Sequence, residues 1–242
     1  MSRIQRRALA AAALALVAGA GFVLAVGHSA SGLGPRRGAQ RPPLLLLTSL
    51  PLVLPEDFSL KGSGSPALAK LQTRYRVMPI SITSASELAR GRLLLMAQPQ
   101  AQTAENLVAL DDWVRRGGRV LLLADPLLEW PSTRPLGDVL RPPAVFPDTG
   151  LLAHWGLRLE PPRRRGPAIR SLAGFDVLTV SPGVLTGSCA IGRDGFVAQC
   201  RIGRGDVLVV ADVDLLDVQE LGPGASSNLN AIAAELASLE QS

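Results

Sequence analysis

Four short apolar runs, each followed by polar or turn-forming residues, leave few folds open to this chain of 242 residues. The runs are LLLLTS (44–49), RLLLMA (92–97), RVLLLAD (119–125) and VLVVA (207–211). Such runs, with no alternation of polar residues, are typical of strands buried on both faces of a parallel sheet. Segments with helical spacing of apolar residues lie between or after them, at 66–74, 103–116 and 228–239. This alternation predicts an α/β domain with a mainly parallel sheet and helices on both faces.

The segment 103–116 has the clearest helical pattern. Its apolar residues fall on one stripe, formed by Leu107, Leu110, Trp113 and Val114. Thr103 can cap the first turn, and Gly117 can end the helix because glycine adopts left-handed geometry at little cost. A further strand is expected at 75–82, and Pro79 within it indicates an irregular end or an edge position.

The second half of the chain predicts smaller elements. The stretch 130–147 is rich in proline and predicts an irregular loop, followed by a short helix at 149–155 and a strand at 157–160. Residues 161–167, with Arg163, Arg164 and Arg165, predict an exposed loop whose arginines are solvated. Beyond it, segments at 175–180, 189–191 and 196–202 predict an antiparallel insert that returns to the sheet through the run at 207–211.

The two cysteines fall within this insert. A hairpin with Asp194-Gly195 as its two-residue turn would place Cys189 directly opposite Cys200. Counted outward from that turn, they form a hydrogen-bonded pair with the wider Cα separation, which suits a cross-strand bridge less well. The sequence leaves the disulfide open, but any such bond would be a structural one.

The amino terminus has the pattern of a membrane-targeting segment. Three arginines precede an uncharged run of nineteen residues, Ala8 to Val26, which as a helix spans roughly 28 Å, close to the thickness of a bilayer core. We therefore expect a basic flank (1–7), a single-pass signal anchor (8–26), a flexible linker (27–43) and a soluble domain (44–242). A small-residue cleavage site near residues 25–30 leaves a cleaved signal peptide as the alternative. The expected location is the bacterial inner membrane, with the domain in the periplasm.

The positive charge of the chain lies mainly before the domain. The net charge is +5 at pH 7; six arginines precede Leu44, and no acidic residue occurs before Glu56, so removing those six leaves residues 44–242 at −1. A nucleic-acid-binding domain normally carries a basic face of its own. We therefore expect no nucleic-acid partner.

Polar residues follow several of the predicted strands, where α/β domains collect ligands. They are Thr48, Gln98, Asp125, Asp212 and Asp214. The three aspartates are candidates for holding a divalent cation through oxygen ligands. As an alternative, each aspartate can cap the turn or helix that follows it. The sequence favours this capping role over metal binding, because no histidine or further acidic motif accompanies the aspartates. We expect no metal and no cofactor.

A catalytic nucleophile has little support in the sequence. His154 is the sole histidine of the domain, and its apolar neighbours favour a packed side chain over a catalytic base. The chain has no G-x-S-x-G elbow, no phosphate-binding G-x-x-x-x-G-K-[ST] loop and no paired metal-ligand spacing. We therefore expect no catalytic residues.

The domain nevertheless resembles a known family. The succession LLLLTSLPL, LDDWVRRGGRVLLLADP and GRGDVLVVADVDLLD, with a terminal helix bearing Asn228 and Asn230, is similar to the soluble domain of uncharacterised ABC-type transport system proteins, including gliding-motility-type auxiliary components. The resemblance covers about residues 44–239 and implies a class I glutamine amidotransferase-like, flavodoxin-like fold. Enzymes of that fold have a cysteine nucleophile elbow, whereas the corresponding strand here ends in Ala124-Asp125-Pro126. The resemblance thus implies the scaffold without the activity.

Three functions follow as hypotheses. The first is a membrane-anchored, non-catalytic accessory or ligand-sensing domain of an ABC-type transport or envelope system, with the bilayer and an ABC permease as partners. The second is an exported hydrolase or transferase that uses the strand-end carboxylates. The third is a soluble periplasmic binding protein, which requires cleavage of the amino-terminal segment.

Overall fold

The computed structural model describes residues 33–54, 56 and 64–242. Its strands are β1 (Pro43–Thr48), β2 (Arg76–Ile80), β3 (Leu93–Ala97), β4 (Arg119–Leu123), β5 (Leu157–Glu160), β6 (Pro167–Leu172), β7 (Phe175–Val180), β8 (Val184–Gly187), β9 (Ala190–Ile191), β10 (Val197–Ile202) and β11 (Gly205–Val210). Its α-helices are α1 (Pro66–Gln72), α2 (Ala85–Leu88), α3 (Ala104–Arg115), α4 (Leu151–His154), α5 (Val218–Leu221) and α6 (Asn228–Gln241).

The central sheet has seven strands in the order β2-β1-β3-β4-β11-β10-β9. Its first five strands are parallel, and β10 and β9 extend it in antiparallel fashion. The parallel part has the strand order of the flavodoxin-like doubly wound fold. The prediction of a mainly parallel α/β sheet is therefore confirmed. The edge position of β2, which contains Pro79, is confirmed as well.

The four apolar runs form the interior of this sheet. Leucine side chains of β1, β3 and β4 are almost wholly buried, as are Val207, Val209 and Val210 of β11. Burial on both faces explains why these runs carry no alternating polar residues.

The helices fall into two groups. Helix α1 contacts α6, and α2 contacts α3. In doubly wound sheets the right-handed rule for crossovers puts two such groups of helices on opposite faces. The boundary signals of α3 are confirmed: the Thr103 hydroxyl accepts the Asn106 N–H, and Gly117 follows the helix with a φ of +107°.

The predicted strands and helices agree with the structure to within two residues at each end. Two strands, β6 and β8, were not expected. Strand β6 pairs with β7, and β8 pairs with β5, each in a small antiparallel sheet. Only Leu172 of β6 is buried, so this strand lacks the apolar run that would have indicated it.

The predicted flexible linker, residues 27–43, lies within the described residues only from Leu33 onwards. In its described part the Arg36 N–H donates to the carbonyl of Thr73 (2.8 Å), and the Arg36 guanidinium pairs with Glu240 (2.9 Å). A guanidinium nitrogen of Arg74 donates to the carbonyl of Gly34 (2.5 Å). Residues 33–43 are thus attached to the domain by contacts that a glycine- and proline-rich composition does not reveal.

The predicted membrane anchor, Ala8 to Val26, lies outside the described residues. Among the residues that are described, none of the helices combines the length and the apolar character needed to cross a bilayer.

Candidate functional site

The strand order reverses between β1 and β3, and this fold class binds ligands at the carboxyl ends of the strands beside such a reversal. Thr48 ends β1, and its hydroxyl donates to the carbonyl of Ala97 (2.8 Å) and accepts the Leu50 N–H (3.0 Å). Ser49 donates to the carbonyl of Gln98. A cavity of about 420 Å³ lies beside them, with Thr48, Ser49, Pro79, Ile80, Glu56 and Arg134 in its lining. These two hydroxyls therefore tie the end of β1 to the last residue of β3 and to the residue that follows it.

Gln98 is fully buried and braces the next strand end. Its backbone has a φ of +43°, a conformation that residues other than glycine, asparagine and aspartate rarely adopt. Its Oε1 accepts the Asp125 N–H (2.9 Å), and its Nε2 donates to the carbonyls of Asp125 (3.2 Å) and Pro143 (3.0 Å). The amide thus holds the end of β4 against the irregular loop at 130–147.

The three predicted aspartates are brought together in the structure. Asp125 accepts the N–H groups of Leu127 (2.8 Å) and Val213 (3.1 Å), and Asp212 accepts those of Leu215 (2.8 Å) and Val180 (2.9 Å). Oδ2 of Asp214 accepts the Glu129 N–H (2.8 Å). Oδ1 of Asp214 is buried, and none of the described residues donates a hydrogen bond to it. The carboxylates thus satisfy backbone donors, as capping groups do.

Burial in this cluster changes the acidity of its members. Burial, and then the charge of Asp125, raise the pKa of Asp214 to about 7. Burial raises the pKa of Asp125 to about 6, and Glu129 adds to that shift. The pKa of the fully buried Asp212 is also raised, first by burial and then by Asp125. No group of three histidine, cysteine, aspartate or glutamate residues in the described ranges is placed to hold a metal ion.

Two polar residues extend the network beyond the predicted set. The buried Asn228 pairs with both backbone groups of Leu178, accepting its N–H (2.9 Å) and donating to its carbonyl (2.7 Å), and also donates to the carbonyl of Leu215 (2.8 Å). Ser181, with a φ of +50°, donates to Glu129 (2.5 Å). Their partners are distant in sequence, so no local pattern indicates these roles.

His154 occupies a different environment from the one its neighbours suggest. Leu151, Leu152 and Trp155 of this short helical turn are buried, whereas His154 is exposed. Its Nε2 lies 3.3 Å from Oδ2 of Asp111. The expectation of a packed histidine is wrong, because the turn directs its apolar residues inward and His154 outward. Arg163, Arg164 and Arg165 are exposed, in agreement with a loop.

The structure joins Cys189 and Cys200 in a disulfide with a Cα–Cα distance of 4.9 Å. The predicted pairing register is observed, with Ala190 opposite Gln199. The turn differs from the prediction: the Gly192 N–H donates to the carbonyl of Val197 (2.8 Å), so four residues form the loop in place of two. This change moves the hydrogen-bonding pattern by one position and gives the cysteines the closer, non-hydrogen-bonded site.

The strand order and the braced strand ends define a flavodoxin-like α/β domain. The chain belongs to the family of ABC-type uncharacterized transport system proteins, whose family model matches residues 41–162. That stretch runs from the start of β1 through β5 and includes Thr48, Gln98 and Asp125. The resemblance identified from the sequence is confirmed, and the family indicates an auxiliary component of an ABC-type transport system.

Solved structures are similar in fold at low sequence identity. The "mmIFT52 N-terminal domain" has a TM-score of 0.52 at 11% identity, covering 82% of this chain and 98% of that one. Cytoplasmic protein STM1381 from Salmonella typhimurium LT2 has a TM-score of 0.49 at 12% identity, covering 81% and 99%. The exo-beta-1,4-mannosidase Op5Man5 from Opitutaceae bacterium strain TAV5 has a TM-score of 0.48 at 14% identity, covering 81% of this chain but only 36% of the mannosidase. No curated protein matches the chain in sequence.

Proposed function

We propose that this chain is a membrane-anchored, non-catalytic accessory domain of an ABC-type transport system, exposed on the periplasmic side of the inner membrane. The family match over residues 41–162 carries the assignment to a transport system. The matched stretch also covers the strand ends at which an enzyme of this fold would hold its reacting groups. There the side chains of Thr48, Gln98 and Asp125 bond to the backbone.

The end of β4 supports a non-catalytic role. In the class I glutamine amidotransferases, whose fold the resemblance implies, the corresponding strand leads to a cysteine nucleophile. Here Ala124-Asp125-Pro126 follows β4, and both oxygens of Asp125 accept backbone N–H groups. A carboxylate used in this way fixes a loop and does not attack a substrate.

A protein partner is supported by the irregular loop after β4. Leu136 is 88% exposed and Val139 83% exposed, and Leu140 and Val145 are also exposed large apolar residues. Apolar side chains clustered at a surface are typical of protein contacts. The loop lies within the family match, so we assign it to contact with a subunit of the transporter.

Export is supported by two features. The apolar run Ala8 to Val26 follows a basic flank, as in signal anchors. The disulfide between Cys189 and Cys200 is a bond that forms and persists in oxidising compartments.

The test is purification of the tagged full chain from detergent-solubilised membranes, with mass spectrometry of what accompanies it. We expect the chain to resist alkaline carbonate extraction and to purify together with an ATP-binding cassette subunit and its permease. Leu136→Asp with Val139→Asp should abolish the association. Val108→Asp, at a position that is 63% exposed but outside that loop, should leave it intact. Association that survives the double substitution would contradict the proposed contact.

An exported hydrolase is the second candidate, and Oδ1 of Asp214 favours it, since a buried carboxylate oxygen that accepts no hydrogen bond from the described part of the chain is available for chemistry. Asp125→Asn and Asp212→Asn separate the two functions in cells that require the transporter. If the domain is an accessory scaffold, transport should follow the amount of folded protein. Transport that is lost in a variant of unchanged abundance and melting temperature would support the enzyme.

A further inference from the structure

The small net charge of the domain conceals an uneven distribution along the strand direction. Arg76 and Arg119 are the first residues of β2 and β4, and Arg92 and Arg204 directly precede β3 and β11. Since these strands are parallel and in register, all four arginines lie at one end of the sheet, here called the amino edge. The opposite end carries the acidic residues Asp125, Asp212, Asp214 and Asp217.

A cavity of about 510 Å³ opens at the amino edge. Arg90, Arg92 and Arg119 line it together with Pro43 and Glu240. Glu240 is the acidic group in this lining, and it already pairs with Arg36 (2.9 Å). Arg90 pairs with Glu87 on the surface, an interaction of little strength in water. Arg76, Arg90 and Arg92 are exposed, so the edge presents surplus positive charge to its surroundings.

The chain enters the domain at this same edge. The carbonyl of Gly34 accepts a hydrogen bond from Arg74, and the carbonyl of Pro42 accepts one from the Arg76 N–H (2.9 Å). Between the apolar run that ends at Val26 and Leu33 the sequence has six residues, which span at most about 22 Å when extended. The chain that follows the proposed anchor therefore joins the domain at the amino edge and not at the acidic end.

We propose that the amino edge docks on anionic phospholipid headgroups of the membrane that anchors the chain. This inference rests on the proposed anchor and adds to it an orientation and a lipid preference. Guanidinium groups bind phosphate with paired hydrogen bonds, and the exposed arginines of this edge can supply them: Arg76, Arg90, Arg92 and Arg204. The short tether keeps the edge at high local concentration near the headgroups, so each contact can be weak.

The test places a fluorophore at either end of the sheet in the full chain, reconstituted into vesicles that contain a lipid-bound quencher. Ala89→Cys labels the amino edge, and Ser81→Cys labels the opposite end; both positions are exposed. In vesicles with about a third phosphatidylglycerol, the label at position 89 should be quenched more strongly than in phosphatidylcholine alone, and about 0.5 M salt should remove the difference. The label at position 81 should respond to neither change.

Two matched triple variants test which arginines produce the preference for anionic lipid. Arg76→Gln, Arg90→Gln and Arg92→Gln together should lower the preference for the anionic surface on the order of 100-fold, at roughly fivefold for each arginine. Arg163→Gln, Arg164→Gln and Arg165→Gln remove the same charge from an exposed loop elsewhere and should leave the preference unchanged.

The outcomes distinguish failure of docking from failure of the anchor. Equal quenching at position 89 in both lipids, with the chain still floating with the vesicles, overturns the docking and leaves the anchor intact. Release of the chain by alkaline carbonate overturns the anchor and the docking with it. Protection of position 89 only when an ABC permease is reconstituted with the chain would assign the edge to a protein partner and overturn the lipid proposal.

Discussion

Gln98 combines an unfavourable backbone conformation with a side-chain amide that makes three hydrogen bonds. Its φ of +43° costs on the order of 1 kcal/mol, and the bonds to Asp125 and Pro143 compensate for that cost. Gln98→Ala removes these bonds and leaves buried backbone groups without partners. We expect the free energy of unfolding to fall by about 2–4 kcal/mol, measured by denaturant titration.

Gln100→Ala is the matched control for this variant. Gln100 also donates to two backbone carbonyls, of Val139 (3.3 Å) and Arg141 (3.0 Å), but it is exposed. Water replaces those bonds when the side chain is removed, so the change should stay below about 1 kcal/mol. Equal losses for the two variants would show that burial of Gln98 does not determine its contribution.

The aspartate cluster makes stability depend on pH near neutrality. Because the folded-state pKa of Asp214 is about 7 and that of Asp125 about 6, both above the unfolded value, the folded state binds more protons. The stabilising contribution of these two carboxyl groups should be fully present below about pH 4 and should be lost as the pH rises to about 7. For Asp214 the loss is on the order of 4 kcal/mol. Thermal unfolding across this range measures it.

Asp214→Asn tests the assignment, because the amide does not titrate and its oxygen can still accept the Glu129 N–H. The decline between about pH 4 and 7 should become smaller in this variant. Asp148→Asn replaces an exposed aspartate outside the cluster and should keep the full decline. A pH profile of Asp214→Asn identical to that of the unmodified protein would exclude Asp214 as its source.

The hairpin of β9 and β10 shows how a turn determines the geometry of an element. The four-residue loop gives Cys189 and Cys200 the closer pair position, and their bond closes a loop with a sequence separation of 11. Reduction should lower the free energy of unfolding by roughly 2–3 kcal/mol through the entropy of the unfolded chain. Thiol titration of the unfolded, unreduced protein should find both cysteines oxidised.

Cys189→Ser with Cys200→Ser should unfold like the reduced protein and be insensitive to reductant. This result would identify the bond as a structural disulfide. Reduction of a redox centre would instead alter function while leaving stability nearly unchanged. Two free thiols in protein isolated without reductant would contradict the bond.

In the whole molecule, the first described residues are linked to the last helix. The Arg36 guanidinium bonds to Glu240 of α6 and lies 5.6 Å from the centre of the Tyr75 ring. Arg36→Ala should lower the free energy of unfolding by about 1 kcal/mol, since the pair is partly shielded from water. Arg37→Ala, at the exposed neighbouring position, should change it by less than about 0.5 kcal/mol. A double-mutant cycle with Glu240→Gln measures the coupling; a coupling near zero would contradict the link.

The positions of most strands and of the three longest helices followed from the sequence because they depend on neighbouring residues. A run such as LLLLTS is recognisable as a doubly buried strand, and Thr103 and Gly117 mark the ends of α3. Even the set of strand-end residues was predictable, since parallel strands end at a common edge. Their hydrogen-bond partners were not, because Asp125 accepts the N–H of Val213, which is 88 residues away.

Properties that depend on distant segments were settled by the assembled fold. Residues 33–43 have the composition of a linker, yet Arg36 meets Glu240, 204 residues away, and attaches the segment to the domain. The basic amino edge likewise arises only when strands from separate parts of the chain align, because parallel pairing gathers their first residues in one place. The burial pattern of a strand or helix can be predicted from its consecutive residues. The distribution of charge on the surface and the hydrogen-bond partners cannot, because they depend on which distant segments become neighbours in the fold.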